Sequence, residues 1–326
     1  KHRLIMTTYK EIKGTQIQVL SSDPTNLLDG QVWYNSTDQA VKASVFSADT
    51  VTSGGNYPET LYQAGSAGVQ TAALGYGGRP NNNRTTGSYS YNGSNWTSTP
   101  SLNSARSVFQ SSFGTSTSAI AVNGQGPPSR PPVFVDFVEE FNGSSWSEKN
   151  STNETRRIMS GIGDTGTSGL VAGGYTAPGA TSVNVEEWNG PNWSEVNNLN
   201  NPGGYKGGAG DVTAGLAFGN AAKVESWNGT NWTELTDAPA TLQIGGGTTT
   251  AVIAAGGPAT QNILKYDGSS WTTSPASFSV GHGDGSYAGN PGTAAVVFAG
   301  APSPSYTNST EEFDVAAFTT RTFTDS

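Results

Sequence analysis

Short apolar runs that end in glycine recur along the chain, and they show no helical period. The runs cover residues 72–78, 118–124, 169–174, 214–219, 251–257 and 294–300. Their residues are apolar at successive positions, which is typical of strands packed between two neighbouring sheets. A looser, glycine-rich strand candidate precedes each run, as at 62–68 and 107–114. The best helix candidate, residues 10–20, is too irregular to support a helix.

A hairpin motif follows each apolar run: an aromatic, Asn or Asp, Gly, two residues, a second aromatic, then Thr or Ser. In the sixth copy the aromatics remain but the turn residues are lost. The paired aromatics are Tyr91 and Trp96, Phe141 and Trp146, Trp188 and Trp193, Trp227 and Trp232, Tyr266 and Trp271, and Phe313 and Phe318. Asn-Gly tolerates positive φ, so the motif predicts a tight turn with its two aromatics opposite each other as a cross-strand pair.

The spacing of the motif predicts the fold class. Successive copies lie 50, 47, 39, 39 and 47 residues apart, and each unit predicts four short strands, as in a β-propeller blade. We expect an all-β, six-bladed propeller with blades at about 59–100, 101–150, 151–197, 198–236, 237–276 and 277–326. Residues 317–323 are expected to complete the sixth blade, so that no N-terminal strand is needed. A degenerate hairpin at residues 33–36 leaves the number of blades open by one.

The end of the second strand resembles the kelch repeat, in which a glycine pair is followed by an aromatic and then a Trp. Gly77-Gly78, Gly173-Gly174 and Gly256-Gly257 match this pattern, whereas Asn123-Gly124, Gly219-Asn220 and Ala299-Gly300 depart from it. The resemblance covers about residues 60–326 and implies a kelch-type propeller.

Residues 1–58 lack the full repeat and predict a short N-terminal β-hairpin extension, formed by 30–37 and 40–45. This arrangement resembles kelch-like structural proteins of marine phage virions, through Tyr9-Lys10-Glu11, Asp23-Pro24, residues 30–37 and residues 102–106. The resemblance implies a virion protein that is assembled in the host cytoplasm and has other virion proteins as partners.

We expect residues 1–58 to dock the propeller onto a larger assembly. The contact residues predicted for this role are Gln31, Val32, Trp33 and Tyr34, since large aromatics are favoured anchors of interfaces. The alternative for Trp33 is core packing inside its own hairpin. The competing role for the whole segment is to cap one face of the ring.

Composition excludes several classes of partner. The net charge is −9, which argues against nucleic-acid binding because that needs a basic face. The densest basic site, Arg156-Arg157, is interpreted as a solvated loop. No apolar run reaches membrane-spanning length, so membrane insertion is not expected. The chain has no cysteine, which excludes disulfides and thiolate metal sites.

The sequence predicts no catalytic centre, no cofactor and no metal. Of the two histidines, His282 lies in a glycine-rich stretch and is interpreted as a loop histidine rather than a triad member. Acid pairs occur at one repeat position, as Glu139-Glu140, Glu186-Glu187 and Glu311-Glu312. Adjacent strand residues face opposite sides, so such a pair cannot converge on one sugar as glycoside hydrolysis requires. The Asn-x-Ser/Thr sites are interpreted as by-products of the turn motif.

Two functions follow from these expectations. The first is a non-enzymatic structural or appendage protein of a bacteriophage particle, mounted through its N-terminal segment. The alternative is a carbohydrate- or receptor-binding propeller for host attachment, with a host-surface glycan as partner, because Trp and Tyr rings stack on sugars. The sequence leaves homo-oligomerisation open.

Overall fold

The computed structural model describes residues 17–81, 83–127, 134–256, 260–301 and 305–323. Within these ranges the chain forms 28 strands and no helix, which confirms the all-β expectation. The strands make seven four-stranded sheets. The chain divides into two compact units: unit 1 contains Lys1–Asp49 and Val315–Ser326, and unit 2 contains Thr50–Asp314. The described residues contain no helix long and apolar enough to span a membrane.

Unit 1 contains one sheet. Its strands, in spatial order, are β1 (Gln18–Leu20), β2 (Val32–Asn35), β3 (Ala40–Phe46) and β28 (Phe318–Thr322). The predicted hairpin is confirmed as the antiparallel pair β2 and β3. β1 adds to it in parallel and β28 adds in antiparallel orientation, so both ends of the chain contribute to this sheet.

Unit 2 contains six sheets, numbered here in chain order. Sheet I contains β5 (Gly65–Val69), β6 (Ala72–Tyr76), β7 (Ser88–Tyr91) and β8 (Trp96–Ser98). Sheet II contains β9 (Ser112–Thr115), β10 (Ser118–Gln125), β11 (Phe134–Phe141) and β12 (Trp146–Lys149). Sheet III contains β13 (Ser160–Thr165), β14 (Ser168–Ala172), β15 (Val185–Trp188) and β16 (Trp193–Val196).

The other three sheets follow the same order, except for the last strand of the sixth. Sheet IV contains β17 (Gly207–Gly210), β18 (Gly215–Asn220), β19 (Lys223–Trp227) and β20 (Trp232–Glu234). Sheet V contains β21 (Leu242–Thr248), β22 (Ala251–Gly256), β23 (Asn262–Tyr266) and β24 (Trp271–Ser277). Sheet VI contains β25 (Ser286–Ala288), β26 (Ala294–Phe298), β27 (Thr310–Asp314) and β4 (Thr50–Ser53).

The first strands of the six sheets contact one another in a ring. Each contacts the first strand of the next sheet, and β25 of sheet VI contacts β5 of sheet I. Glycine permits this close approach, because a Cβ at Gly208 would overlap the carbonyl oxygen of Gly161 in the preceding sheet. The arrangement is propeller-like.

The hydrophobic core of unit 2 lies between successive sheets. The second strands are buried along most of their length, as their continuous apolar runs predict. Aromatic side chains bridge neighbouring sheets: Tyr76 lies 4.7 Å from Trp146, and Phe218 lies 6.0 Å from Trp271, between ring centroids. Phe298 of sheet VI lies 4.6 Å from Trp96 of sheet I, so the last sheet also packs on the first.

The hairpin motif folds as expected in five of its six copies. The paired aromatics are opposite each other in the strand register, and their ring centroids lie 4.9–5.3 Å apart. In four of these turns the Asn or Asp accepts the N–H groups of the two residues before the second aromatic, as Asn142 does at 2.9 Å from Ser144 and Ser145. Asn189 accepts only the N–H of Asn192, because Pro191 has none.

The sixth copy differs from expectation. Phe313 pairs with Val51 of β4, whereas Phe318 is exposed and pairs with Phe46 in unit 1. Without the Asn-Gly turn, the chain after β27 does not fold back on sheet VI. The expectation that no N-terminal strand is needed was therefore wrong. Unit 2 begins at Thr50 rather than at residue 59, and it ends at Asp314.

Candidate functional site

Four buried glutamates occupy one repeat position on the third strands, two residues before the aromatic. They are Glu139, Glu186, Glu225 and Glu311. Each accepts a hydrogen bond from a loop N–H, that of Asn103, Asn153, Asn200 or Ser279, at 2.6–2.8 Å. Such buried carboxylates require a charged or hydrogen-bonding partner.

The partners of these glutamates also come from one place in the repeat. Arg106 forms an ion pair with Glu139, and Arg156 Nη2 lies 2.7 Å from Glu186. His282 Nε2 lies 2.9 Å from Glu311 Oε2, while its Nδ1 lies 2.7 Å from the carbonyl oxygen of Ala299. In sheet IV, the hydroxyl of Tyr205 donates to Glu225 at 2.7 Å. Three of these pairs share a spacing in the sequence. Arg106, Arg156 and His282 each lie three residues after the residue whose N–H binds the glutamate, which is Asn103, Asn153 or Ser279.

The interpretation of Arg156-Arg157 as a solvated loop was wrong. Arg156 is fully buried, and Arg157 is partly buried against aromatic rings, so the pair is no solvated loop. His282 lies in a loop as expected, but it is buried and bound on both ring nitrogens. Within the described ranges, no group of three His, Asp or Glu residues could hold a metal ion.

The acid pairs face opposite sides of their strands, as the sequence predicts. Glu139, Glu186 and Glu311 are buried, whereas their neighbours Glu140, Glu187 and Glu312 are partly exposed. Glu140 pairs with Lys149 at 2.6 Å, and Glu312 accepts a hydrogen bond from Tyr91 at 2.7 Å. The two carboxylates of a pair therefore serve separate structural contacts.

The four residues predicted to dock the N-terminal segment do not share one face. Trp33 is fully buried, and its indole N–H donates to Asp23 at 3.0 Å. Gln31 precedes β2 and is partly buried, while Val32 is exposed and Tyr34 is partly exposed. Because strand residues alternate, Val32 and Tyr34 lie on the face of the sheet opposite Trp33. For Trp33, the core-packing alternative agrees with its burial.

A group of arginines and aromatic rings is formed by loops of sheets I, III and VI together with the first residue of β11 in sheet II. We call it the arginine cluster; it comprises Arg79, Arg84, Arg157, Tyr62, Phe134, Tyr175 and Tyr306. Arg79 Cζ lies 4.9 Å from the ring centroid of Tyr62, which stacks on Tyr306 at 4.6 Å. Arg157 Cζ lies 5.0 Å from the ring of Phe134 and 5.7 Å from that of Tyr175. These are cation–π distances.

Backbone pairing holds the members of the cluster in place. Tyr62 and Arg79 form an isolated antiparallel bridge, and so do Arg157 and Tyr175. The Nε of Arg84 donates to the carbonyl oxygen of Gln125 at 3.3 Å. The side chains are thus presented by paired backbone near the start of the first strands.

The three guanidinium groups are close enough to affect one another. Burial, then the charge of Arg79 and to a lesser extent that of Arg157, lowers the pKa of Arg84 to about 10. Burial likewise lowers the pKa of Arg157; Tyr175 opposes this, and Arg79 adds to it. Guanidinium groups are in effect always protonated in proteins. The cluster is therefore a local concentration of positive charge in an acidic chain.

A second polar group connects sheets I, IV, V and VI beside the arginine cluster. Asp284 accepts hydrogen bonds from Lys206 Nζ at 3.2 Å and Gln63 Nε2 at 3.0 Å. Its own N–H donates to Gln243 at 3.1 Å. Each oxygen of the Asp284 carboxylate thus accepts a hydrogen bond from another sheet, so this group links the sheets.

Comparison with known proteins adds no assignment: the chain matches no protein-family profile and no curated protein.

Proposed function

We propose that the chain is a non-enzymatic structural or appendage protein of a bacteriophage virion. Unit 2 is a six-bladed, kelch-type β-propeller in which sheets I–VI are the blades and β4 completes the sixth. The ring of contacts among the first strands supports this blade count. The packing of Phe298 on Trp96 supports closure of the ring. The virion assignment rests on the resemblance of residues 9–11, 23–24, 30–37 and 102–106 to phage particle proteins.

The non-enzymatic part of the proposal is supported by how the acidic residues and His282 are used. The groups that could act as acids or bases at one repeat position are bound to structural partners: Glu139 to Arg106, Glu186 to Arg156 and Glu311 to His282. The same arrangement recurs in several blades, whereas a catalytic centre needs one distinct constellation of residues.

Unit 1 is proposed to attach the protein to other virion proteins. Of the ten exposed large hydrophobic side chains in the described ranges, eight belong to unit 1. In its sheet, Val19, Val32, Tyr34 and Val45 lie on one face by strand register. An exposed apolar face of this kind is typical of a protein interface. Of the four residues predicted to dock, Val32 and Tyr34 are therefore proposed to contact another virion protein. The alternative is that a second copy of this chain binds the same face of the sheet.

The attachment proposal is tested by rebinding to particles that lack the protein. The full chain should bind, whereas the Val32→Asp/Val45→Asp double variant should lose binding. Val69→Asp, which changes an exposed valine of unit 2, is the matched control. Equal binding by all three proteins would refute docking through unit 1. Mass spectrometry and labelled imaging of purified particles test the virion assignment itself, and absence of the protein from particles would overturn it.

The second candidate function is host attachment, with unit 2 as a receptor- or carbohydrate-binding propeller. The arginine cluster favours it, because it combines cations with aromatic rings on one part of unit 2 and none of its members contributes to the buried glutamate pairs.

A further inference from the structure

We infer that the arginine cluster binds an acidic saccharide, a sugar polymer that carries carboxylate or sulfate groups. The inference rests on the proposal that unit 2 is a binding propeller, and it names the class of ligand.

The first argument is the convergence of charge. Unit 2 has six arginines, and two of them, Arg106 and Arg156, neutralise buried glutamates. Three of the other four meet in the cluster, from loops of sheets I and III. Bringing like charges together is unfavourable, most of all where burial limits screening by water. A bound anion would relieve this repulsion.

The second argument is the state of Arg157. None of the described carboxylates forms an ion pair with it, and its Nε is buried without a hydrogen-bond partner among the described residues. The negative charge of Asp284 acts on Arg157 and raises its pKa, but the Asp284 carboxylate already accepts hydrogen bonds from Lys206 and Gln63. A guanidinium offers a planar fork of donors that suits carboxylate and sulfate oxygens.

The alternation of rings and cations favours a saccharide. Tyr306 and Tyr62 stack beside Arg79, and Phe134 and Tyr175 flank Arg157. An acidic polysaccharide likewise alternates acid groups with the apolar faces of sugar rings, and aromatic side chains with polar tips suit such half-polar surfaces. An acidic peptide would satisfy the arginines but has no repeated ring to pack on the aromatics.

The test measures binding of the full chain to immobilised polymers at two salt concentrations. The probes are heparin for sulfate, polygalacturonate for carboxylate, dextran as the neutral sugar, poly-glutamate as the acidic peptide and duplex DNA as a general polyanion. We expect binding to heparin, to polygalacturonate or to both, weakening with salt, and no binding to dextran.

Variants connect binding to the cluster. Arg84→Gln and Arg157→Gln should each weaken saccharide binding roughly tenfold or more, since each removes a charged hydrogen-bond donor. Arg84→Lys should fall between wild type and Arg84→Gln, because it keeps the charge but loses the fork. Lys149→Gln removes the same charge from the partly exposed pair with Glu140 and should bind as wild type does.

Several outcomes would overturn the inference. These are no binding to either acidic saccharide by the wild-type chain, equal binding to DNA, tighter binding to poly-glutamate, or an equal loss in Lys149→Gln. Each variant is first compared with wild type by thermal unfolding. If a glutamine variant is unfolded, Arg84→Lys takes its place in the binding comparison. Rebinding to particles is a separate measurement. A negative result in the polymer-binding assay therefore does not refute the virion proposal, and a negative result in the rebinding assay does not refute the saccharide site.

Discussion

Tyr57 provides the sharpest test of how unit 2 is completed. It follows β4 in the chain and is fully buried, with ring centroids of Phe298 and Trp96 at 5.0 and 4.8 Å. Truncation of such a ring costs about 3–5 kcal/mol. Because an entire domain is stabilised by about 5–15 kcal/mol, we expect Tyr57→Ala to lose a large share of the stability of unit 2.

Tyr57→Phe is the matched control. The hydroxyl of Tyr57 is buried without a hydrogen-bond partner among the described residues, and burial raises its pKa well above the ordinary value. Removing an unsatisfied polar group should leave stability unchanged or raise it. Urea unfolding followed by tryptophan fluorescence measures both variants. The reasoning is refuted if Tyr57→Ala loses less than about 1 kcal/mol, or if Tyr57→Phe loses as much as Tyr57→Ala.

Three further predictions concern the repeat. Arg156→Met should lower the free energy of unfolding, measured with a chemical denaturant, by about 3–5 kcal/mol because it leaves Glu186 buried and unpaired. Adding Glu186→Leu should recover much of that loss, and a double variant as unstable as Arg156→Met would contradict the prediction. Asn142→Ala should cost about 1 kcal/mol through the lost turn hydrogen bonds, whereas Asn142→Asp should be nearly neutral in the same assay, because sheet V has Asp at this position. Burial raises the pKa of Glu311, but hydrogen bonds from His282 and the Ser279 N–H outweigh this and bring the pKa below its ordinary value. A carboxylate with a lowered pKa stabilises the fold at neutral pH, and this stabilisation is lost in acid. The difference in unfolding free energy between wild type and Glu311→Gln should therefore become smaller below about pH 4. A difference that does not change with pH would contradict this prediction.

Local signals in the sequence were sufficient for most of the scaffold. The aromatic–Asn–Gly motif predicted six hairpins, and five of them form in the predicted register, because turn chemistry and cross-strand pairing act over a few residues. The buried second strands followed from continuous apolar runs. The N-terminal hairpin β2–β3 was also predicted, whereas its extension by β28 depends on a partner about 270 positions away in the chain.

Long-range pairing and tertiary burial could not be predicted from the sequence. β4 reads Thr-Val-Thr-Ser, a short strand with no feature that names β27 as its partner. Arg156-Arg157 has the composition of a surface loop, and the partner of Arg156, Glu186, lies 30 positions further along the chain. The arginine cluster joins Arg79 and Arg157, which are separated by most of two repeats and share no motif.

The proposed saccharide site consists of departures from the repeat rather than of repeated residues. Six similar sheets arranged in a ring give each repeated residue an equivalent environment, so Trp188 or Glu186 has counterparts that perform the same structural task. One distinct ligand site therefore requires residues that occur in some sheets and not in others. Tyr62 and Arg157 occupy corresponding positions, since each forms the isolated bridge before its first strand, but sheet II has Ser107 at that bridge. Arg79 and Arg84 come from the long β6–β7 loop, whereas β18 and β19 of sheet IV are joined by only two residues. The site is thus built from the asymmetric part of a symmetric scaffold, which is the part that selection for a ligand can change without disturbing the ring.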